Sequence, residues 1–140
     1  MWWITKGIFL LLIISMDWLS NFKPEISFIS FTPKFIRSKG IKHNNIIIDP
    51  GIGFGKNLKH NITLISKISL FHSLGFPILL GISRKKFIKD ISGKNDSKER
   101  LGGTIGSSLF AVMQGVQILR VHETNEVIQS IKIFKKLLNN

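Results

Sequence analysis

The sequence predicts an α/β fold in which helices cover a parallel sheet. Three short apolar runs, each typical of a buried strand, alternate with longer segments whose apolar residues have helical spacing. The strands recur roughly every 30–40 residues, close to the ~30 expected for one unit of an eight-unit barrel. Three units do not close a barrel, and by periodicity alone a small doubly wound sheet fits equally well.

The first unit begins with the β-branched run Ile46-Ile47-Ile48, which ends at Asp49. A glycine-rich loop follows this predicted strand. Residues 61–74 then have apolar side chains at helical spacing, with Asn61 as the predicted N-cap and Gly75 as the residue that ends the helix.

Two further units complete the clear part of the chain. Residues 77–81 form a second apolar run, and a polar loop leads to a helix predicted over 97–114, whose small residues would let it approach the sheet closely. Residues 116–121 are the third predicted strand. The last helix is predicted over 124–138, with Thr124 as its N-cap.

The N-terminal segment, residues 1–39, is treated as a separate region because the clear pattern of strands and helices lies in residues 40–140. The apolar run 7–16 is shorter than the ~20 residues of a membrane span. We interpret it first as a buried parallel strand or the remnant of one, and second as a signal-peptide core or anchor, although no small-residue cleavage site follows it. Beyond it, only residues 33–38 are predicted to be helical, and Gly40 would end that helix.

The composition limits the classes of function. The formal net charge is +12, but lysines are spread along the chain without a block of like charge, and no nucleic-acid-binding module is recognisable. We therefore expect no nucleic-acid partner. The absence of Cys excludes disulfides and thiolate metal sites and fits a cytoplasmic protein, and the four His do not have metal-ligand spacing, so no metal ligand is predicted.

Polar residues follow each of the three predicted strands. Asp49 ends the first, residues 83–85 (Ser-Arg-Lys) follow the second, and Arg120 and His122 end the third. Taken singly, these residues are explained as a turn residue, a solvated basic loop and the entry to a helix. Because the carboxyl ends of parallel strands converge on one ligand site, their repetition favours a site for an anionic, phosphorylated ligand.

The glycine-rich loop Asp49-Pro-Gly-Ile-Gly-Phe-Gly-Lys56 matches neither the dinucleotide fingerprint nor a phosphate-binding P-loop. Its glycines do permit the backbone to approach a flat ligand closely.

Three strings carry a family resemblance: IIIDPGIGFGKN, LLGISRKKFI and ERLGGTIGSSLFAVMQGVQILRVHE. In this order and at this spacing they resemble the last three barrel units of dihydropteroate synthases, from about Gly40 to the C-terminus. The resemblance implies a partial (β/α)8 barrel, a TIM barrel, from about its sixth strand to its eighth helix. Residues 1–39 would then be a divergent remnant of the fifth strand and helix.

The resemblance also implies a transferase of folate biosynthesis. The amine of 4-aminobenzoate would attack the methylene group of a dihydropterin methyl diphosphate, and diphosphate would leave with Mg2+ helping to neutralise it. Lys85 and Arg120 would be the catalytic residues. The implied substrate-binding residues are Asp49 for the pterin edge, Gly53, Phe54 and Ser83 around the aminobenzoate, Lys85, Arg120 over the pterin face and His122 on the diphosphate.

Other working parts of the family have no counterpart in this sequence, among them the Asn-bearing loop after the first strand that holds diphosphate and Mg2+. We therefore expect the chain to be truncated, or to need a complementing N-terminal chain or a homodimer. Two alternatives remain: a non-catalytic pterin- or phosphate-binding fragment or inactive remnant, and a membrane-tethered or exported protein, although we expect no membrane partner.

Overall fold

The computed structural model describes residues 3–5, 8–12, 35 and 37–139. Short 3-10 helices cover His43–Asn45, Ile68–Leu74 and Ser97–Arg100. The strands and α-helices are β1 (Trp3–Thr5), β2 (Ile8–Leu12), β3 (Ile46–Asp49), α1 (Leu58–Ser66), β4 (Leu79–Leu80), α2 (Lys86–Ser92), α3 (Leu101–Met113), β5 (Ile118–Leu119) and α4 (Thr124–Leu138).

The strands β2 to β5 are parallel and follow one another in chain order. β2 pairs with β3 and β4 pairs with β5, while a bridge between Ile48 and Ile78 joins β3 to β4. A doubly wound sheet reverses its strand order part-way across, whereas a barrel adds each strand beside the previous one. The α/β prediction with a parallel sheet is therefore confirmed, and the strand order favours a barrel segment over a doubly wound sheet.

The N-terminal apolar run does contain a parallel strand, since Ile8–Leu12 pairs with Ile46–Asp49. The structure adds a feature that the sequence did not predict: β1 pairs antiparallel with β2. The interpretation of residues 1–39 as a remnant of a fifth unit stays a prediction, because residues 13–34 lie outside the described part. No helix in the described residues is long and apolar enough to cross a membrane.

The core lies under the strands and is made mainly of β-branched and other aliphatic side chains. Ile48, Ile78, Leu80 and Ile82 have no exposed surface. Each buried side chain of this size stabilises the fold by about 1.5–3 kcal/mol. The backbone continues the sheet around them, since Ile78 O accepts from Ile118 N at 3.1 Å and Leu80 O accepts from Arg120 N at 3.0 Å. These contacts fix the strand ends from which the polar loops leave.

The first helix begins earlier than predicted. Its N-cap is Asn57, whose side chain accepts from the His60 N–H at 2.9 Å, so the prediction of Asn61 as the cap is wrong. The backbone of Asn57 is extended, as a cap requires, whereas Asn61 is already inside the helix. The segment after Ser66 is a 3-10 helix, and it ends at Gly75 in the left-handed conformation, as predicted.

Two other helix boundaries differ from the prediction. The predicted polar loop after the second strand contains α2, whose Phe87 and Ile88 are buried. Only two apolar residues enter the core there, too few to give a helical period in the sequence. The last helix has Glu123 at its N-cap position without a side-chain capping bond, so the prediction of Thr124 as N-cap is wrong.

The small residues of α3 allow a close approach, but to a helix. A β-carbon on Gly103 would stand 2.3 Å from Ile88 Cγ2 in α2. Thr104, Ser108 and Ala111 on the same helix are fully buried. The glycine at position 103 therefore allows α3 to pack closely against α2.

Candidate active site

The buried carboxylate Asp49 lies where β3 ends, and its side chain is directed back onto the following loop. Asp49 Oδ1 accepts from the Gly51 N–H at 2.8 Å, and the residue is only 3% exposed. Burial raises the pKa of Asp49 above its ordinary value. The Gly51 hydrogen bond and the positive charges of Arg120, Lys85 and Lys56 act in the opposite direction. One acid thus faces three cations at this end of the sheet.

Lys85 approaches the glycine-rich loop from the turn after β4. Its ammonium group donates to Ile52 O at 2.7 Å and lies 4.0 Å from the centroid of the Phe54 ring, within cation–π distance. Burial lowers the pKa of Lys85, Arg120 lowers it further, and Asp49 raises it. Phe54 itself is 41% exposed, so part of its ring remains accessible.

The loop between Gly51 and Asn57 is held by two side chains that the sequence analysis did not select. Lys56 Nζ donates to Gly51 O at 2.9 Å and to Phe54 O at 3.1 Å. The buried Asn61 accepts from the Gly53 N–H at 2.7 Å and donates to Asn57 O at 2.8 Å. These bonds fix the left-handed conformation of Gly53 and with it the position of Phe54.

The turn after β4 contains an unusual backbone. Arg84 has φ 57°, the only positive φ of a non-glycine residue in the described part of the chain. Its N–H donates to the buried Thr104 Oγ1 at 3.1 Å, and its carbonyl accepts from Arg100 Nη1 at 2.8 Å. This conformation costs about 1–2 kcal/mol. The bonds from α3 and from the residue before it maintain this conformation, which separates the directions of Ser83 and Lys85.

The end of β5 meets this turn. Ser83 Oγ lies 2.8 Å from His122 Nδ1, and the His122 N–H donates to the same oxygen at 3.3 Å. The guanidinium of Arg84 is bonded to Glu123 Oε1 through Nε, at 2.6 Å, and through Nη2. The bond from Arg84 lowers the pKa of Glu123. The second and third strand ends are therefore joined by two side-chain pairs.

Arg120 leaves the same strand beside a glycine. A β-carbon on Gly81 would stand 3.1 Å from Arg120 Nη2. Because Arg120 is also close enough to Asp49 and Lys85 to influence the pKa of each, its charge belongs to the same cluster.

The predicted site residues fall into two groups in the structure. The first group consists of Gly53 and Phe54 in the glycine-rich loop together with the charged residues near it, Asp49, Lys85 and Arg120. The second group is the pair Ser83 and His122. The hydroxyl of Ser83 is engaged by His122, so its predicted contact with an aminobenzoate stays a prediction, as do the other roles.

The family model of pterin binding enzymes matches residues 27–122 of this chain. This match covers all three polar strand ends and more than half of the sequence. The chain belongs to the pterin-binding enzyme family.

Relatives and solved structures agree with this membership. The dihydropteroate synthase of Escherichia coli K12 is 38% identical over 100 residues, which are 71% of this chain and 35% of that protein. The chain therefore spans about a third of the length of that curated relative. A crystal structure of Yersinia pestis dihydropteroate synthase has a TM-score of 0.81 at 30% identity, covering 94% of this chain and 54% of that one.

A Thermus thermophilus dihydropteroate synthase in complex with 4-aminobenzoate is also similar, with a TM-score of 0.78 at 29% identity. It covers 93% of this chain and 53% of the Thermus chain. Both structural similarities thus have TM-scores well above 0.5 and support the family membership.

The charges around Asp49 limit the kind of ligand that would fit there. A buried acceptor next to several cations suits a ligand that has hydrogen-bond donors on one edge and an anionic group on another. The described residues contain no group of three His, Cys, Asp or Glu side chains arranged for a metal ion. Asp49 faces three cations and already accepts from a backbone N–H, so these residues do not fit an Mg2+ site.

Proposed function

We propose that this chain supplies the C-terminal, substrate-binding portion of a dihydropteroate synthase, from about the sixth strand to the eighth helix of a (β/α)8 barrel. The complete site would condense dihydropterin methyl diphosphate with 4-aminobenzoate in folate biosynthesis. The observation that carries the proposal is the buried Asp49 facing Lys56, Lys85 and Arg120 at the carboxyl ends of parallel strands. Membership of the pterin-binding enzyme family supports a pterin as the ligand of this arrangement.

Asp49 would accept hydrogen bonds from the amino-pyrimidine edge of the pterin. One of its oxygens already accepts from Gly51, which fixes the orientation of the carboxylate and leaves the other oxygen for the ligand. Burial strengthens such a bond, because water competes poorly in a site of low dielectric constant. Lys85, held against Ile52 O, would contact the pterin from the opposite side.

The aminobenzoate would pack on the accessible part of the Phe54 ring, close to Gly53, whose lack of a side chain leaves room for Lys85. Arg120 would cover the pterin, and Arg120 and His122 would bind the diphosphate. The amine nitrogen attacks the methylene carbon, the carbon–oxygen bond breaks, and diphosphate leaves with the electron pair. The nitrogen then loses its extra proton to solvent. Cations placed on the departing diphosphate stabilise the charge that develops.

Mg2+ is expected from the resemblance, and it would help to neutralise the departing diphosphate. Because the described residues do not fit an Mg2+ site, we assign no step to the ion here. A cytoplasmic location likewise stays a prediction.

The proposal is tested by calorimetric titration of the full chain with a dihydropterin diphosphate analogue, with and without Mg2+. We expect binding that an Asp49→Ala variant loses. A folded chain that does not bind the analogue would contradict the proposal. Ser73→Ala is a matched control, because Ser73 lies on the surface and its hydroxyl contacts only the Leu70 carbonyl among the described residues.

A second candidate function is pterin or phosphate binding without turnover, and the observation that favours it is the cluster of Asp49 with Lys56, Lys85 and Arg120, which suits ligand binding whether or not a reaction follows. The two candidates are separated by adding the first half of a related synthase as a second polypeptide and measuring dihydropteroate formation. Turnover that requires both polypeptides supports a transferase. Binding without turnover in the mixture supports the second candidate, in which Asp49, Lys85 and Arg120 bind a ligand without catalysing its reaction.

A further inference from the structure

We infer that Ser83 is a positioning residue that holds His122 in the neutral tautomer with its proton on Nε2, so that Nε2–H is presented to an anionic oxygen of the ligand. The hydroxyl oxygen of Ser83 has two contacts, and both are with His122. Ser83 Oγ lies 2.8 Å from His122 Nδ1 and accepts from the backbone N–H of His122 at 3.3 Å. Ring and backbone of the same residue thus meet a single hydroxyl group.

A count of protons selects the tautomer. The serine hydroxyl has one proton to donate and two lone pairs, and the backbone N–H uses one lone pair. If Nδ1 were protonated, it would donate to the second lone pair and the hydroxyl proton would need another acceptor. Among the described residues, no other partner of Ser83 Oγ is found. Because Ser83 is only 7% exposed, an unpaired donor there is costly, and donation to an unprotonated Nδ1 satisfies all three groups.

The two ring nitrogens therefore differ in surroundings. Nδ1 faces the buried hydroxyl, while His122 as a residue is exposed and its Nε2 has no hydrogen-bond partner in the described part of the chain. A neutral ring in this state offers Nε2–H as a donor. Its neighbour Glu123 is engaged by Arg84, so that carboxylate is held in an ion pair.

The chemistry that fits this donor is an anionic oxygen, such as a phosphate or diphosphate oxygen. The identification of the ligand as a dihydropterin diphosphate rests on the proposed function, whereas the tautomer rests on the Ser83 contact alone. The predicted contact of Ser83 with an aminobenzoate stays a prediction, and the contact with His122 gives this hydroxyl a further role.

The test uses the full chain with 15N-labelled histidine and long-range 1H–15N spectra recorded over a pH series that reaches the neutral ring. The His122 signals are assigned by their loss in His122→Gln. We expect a protonated Nε2 and an unprotonated Nδ1 in the wild type, a mixed tautomer in Ser83→Ala, and recovery in Ser83→Thr, which keeps the hydroxyl. Ser73→Ala should leave the spectrum unchanged. A purely structural role for Ser83 would not move this signature.

A second measurement links the tautomer to ligand binding. Since hydrogen bonds to charged groups are the stronger class, Ser83→Ala should weaken the affinity for the dihydropterin diphosphate analogue by about tenfold, with recovery in Ser83→Thr. A proton on Nδ1 in the wild type, or a tautomer that Ser83→Ala does not change, would overturn the inference. Unchanged affinity despite a changed tautomer would overturn the donor role of Nε2. A wild type with the expected tautomer that binds no analogue would contradict the proposed function and leave the role of Ser83 towards His122 supported.

Discussion

The backbone of Gly53 lies against the side chain of Lys85, so that a β-carbon at position 53 would stand 2.8 Å from Lys85 Cδ and 3.3 Å from Nζ. Gly53 also has φ +79°, a left-handed backbone conformation that residues other than glycine rarely adopt. Glycine is therefore required there for two reasons, one that concerns the backbone and one that concerns the lysine.

A Gly53→Ala substitution should separate these two reasons when it is compared with Gly75→Ala. Both positions have nearly the same φ, but nothing lies within 4 Å of a β-carbon at Gly75. We expect each variant to lose about 1–2 kcal/mol of unfolding free energy from the left-handed backbone. Only Gly53→Ala should also displace Lys85 and weaken binding of the pterin analogue, by about tenfold. Denaturant unfolding and calorimetry provide the two measurements, and equal affinities in the two variants would contradict the close contact.

Neutralising Asp49 should stabilise the protein and remove its ligand. Because burial raises the pKa of Asp49 above its ordinary 3.8, the native state binds the proton more tightly than the unfolded state does. The unfolding free energy of the wild type therefore has a contribution that falls as pH rises from about 3.8 through the raised pKa. Asp49→Asn, which keeps an oxygen for the Gly51 N–H, lacks this contribution.

We accordingly expect Asp49→Asn to be more stable than the wild type at pH 7 and to approach it in acid, while pterin binding is lost. Urea unfolding of both proteins across a pH series measures the difference, in which the titration of other groups cancels. A variant that is less stable at pH 7 would show that attraction to Lys56, Lys85 and Arg120 outweighs the cost of burying the charge.

The hydroxyl of Thr104 should matter for binding more than its methyl group does. It accepts from the Arg84 N–H and donates to Arg100 O at 3.0 Å, and the residue is fully buried. Thr104→Val leaves the Arg84 N–H without its acceptor, at a cost of about 1–3 kcal/mol. Thr104→Ser keeps the hydroxyl and loses about 1 kcal/mol of packing.

The unfolding free energies of these two variants are therefore expected to differ by at most about 2 kcal/mol, and their affinities for the pterin analogue by several-fold. Thr104→Ser should bind like the wild type, because Arg84 keeps the left-handed backbone that sets the directions of Ser83 and Lys85. Thr104→Val should bind several-fold more weakly. If the two variants bind equally well, Thr104 has a packing role only.

The parts of this fold that could be predicted from the sequence are those that leave a pattern of apolar and polar residues along the chain. The run of isoleucines before Asp49 can be buried only in a strand between covered faces, and parallel strands bring their carboxyl ends together. The sequence alone was for this reason enough to predict that Asp49, Lys85 and Arg120 lie at one end of the sheet. The helix after Lys85 has only Phe87 and Ile88 in the core, and two residues do not establish a period.

The supporting contacts of the site could not be predicted, because they depend on turn geometry. Asn61 has the residue type of a helix cap, yet it accepts from Gly53 across eight residues of chain. Ser83 and His122 have the same spacing along the chain as the paired residues Leu80 and Leu119 of β4 and β5. Arg84, which follows Ser83, adopts a left-handed backbone, which arginine rarely does and no local pattern indicates. The extra bonds to Thr104 and Arg100 that stabilise this conformation come from a different part of the chain.

Two glycines of α3 should respond to the same substitution with opposite signs. A β-carbon on Gly103 would stand 2.3 Å from Ile88 Cγ2, whereas nothing lies within 4 Å of one on Gly106. Gly103→Ala should therefore push α2 away and destabilise the protein by about 1–3 kcal/mol. Gly106→Ala, on the exposed side of the same helix, should stabilise it by about 0.5–1 kcal/mol, because alanine loses less backbone entropy.

Chemical denaturation of the two variants measures both effects, and the ligand provides an independent check. Lys85 lies at the N-terminus of α2, so the shift of this helix in Gly103→Ala should also weaken binding of the pterin analogue, while Gly106→Ala should bind normally. A stabilised Gly103→Ala would show that α2 and α3 can separate at no cost. In that case the close packing of these helices does not fix the position of Lys85, and its contacts with Ile52 and Phe54 must do so.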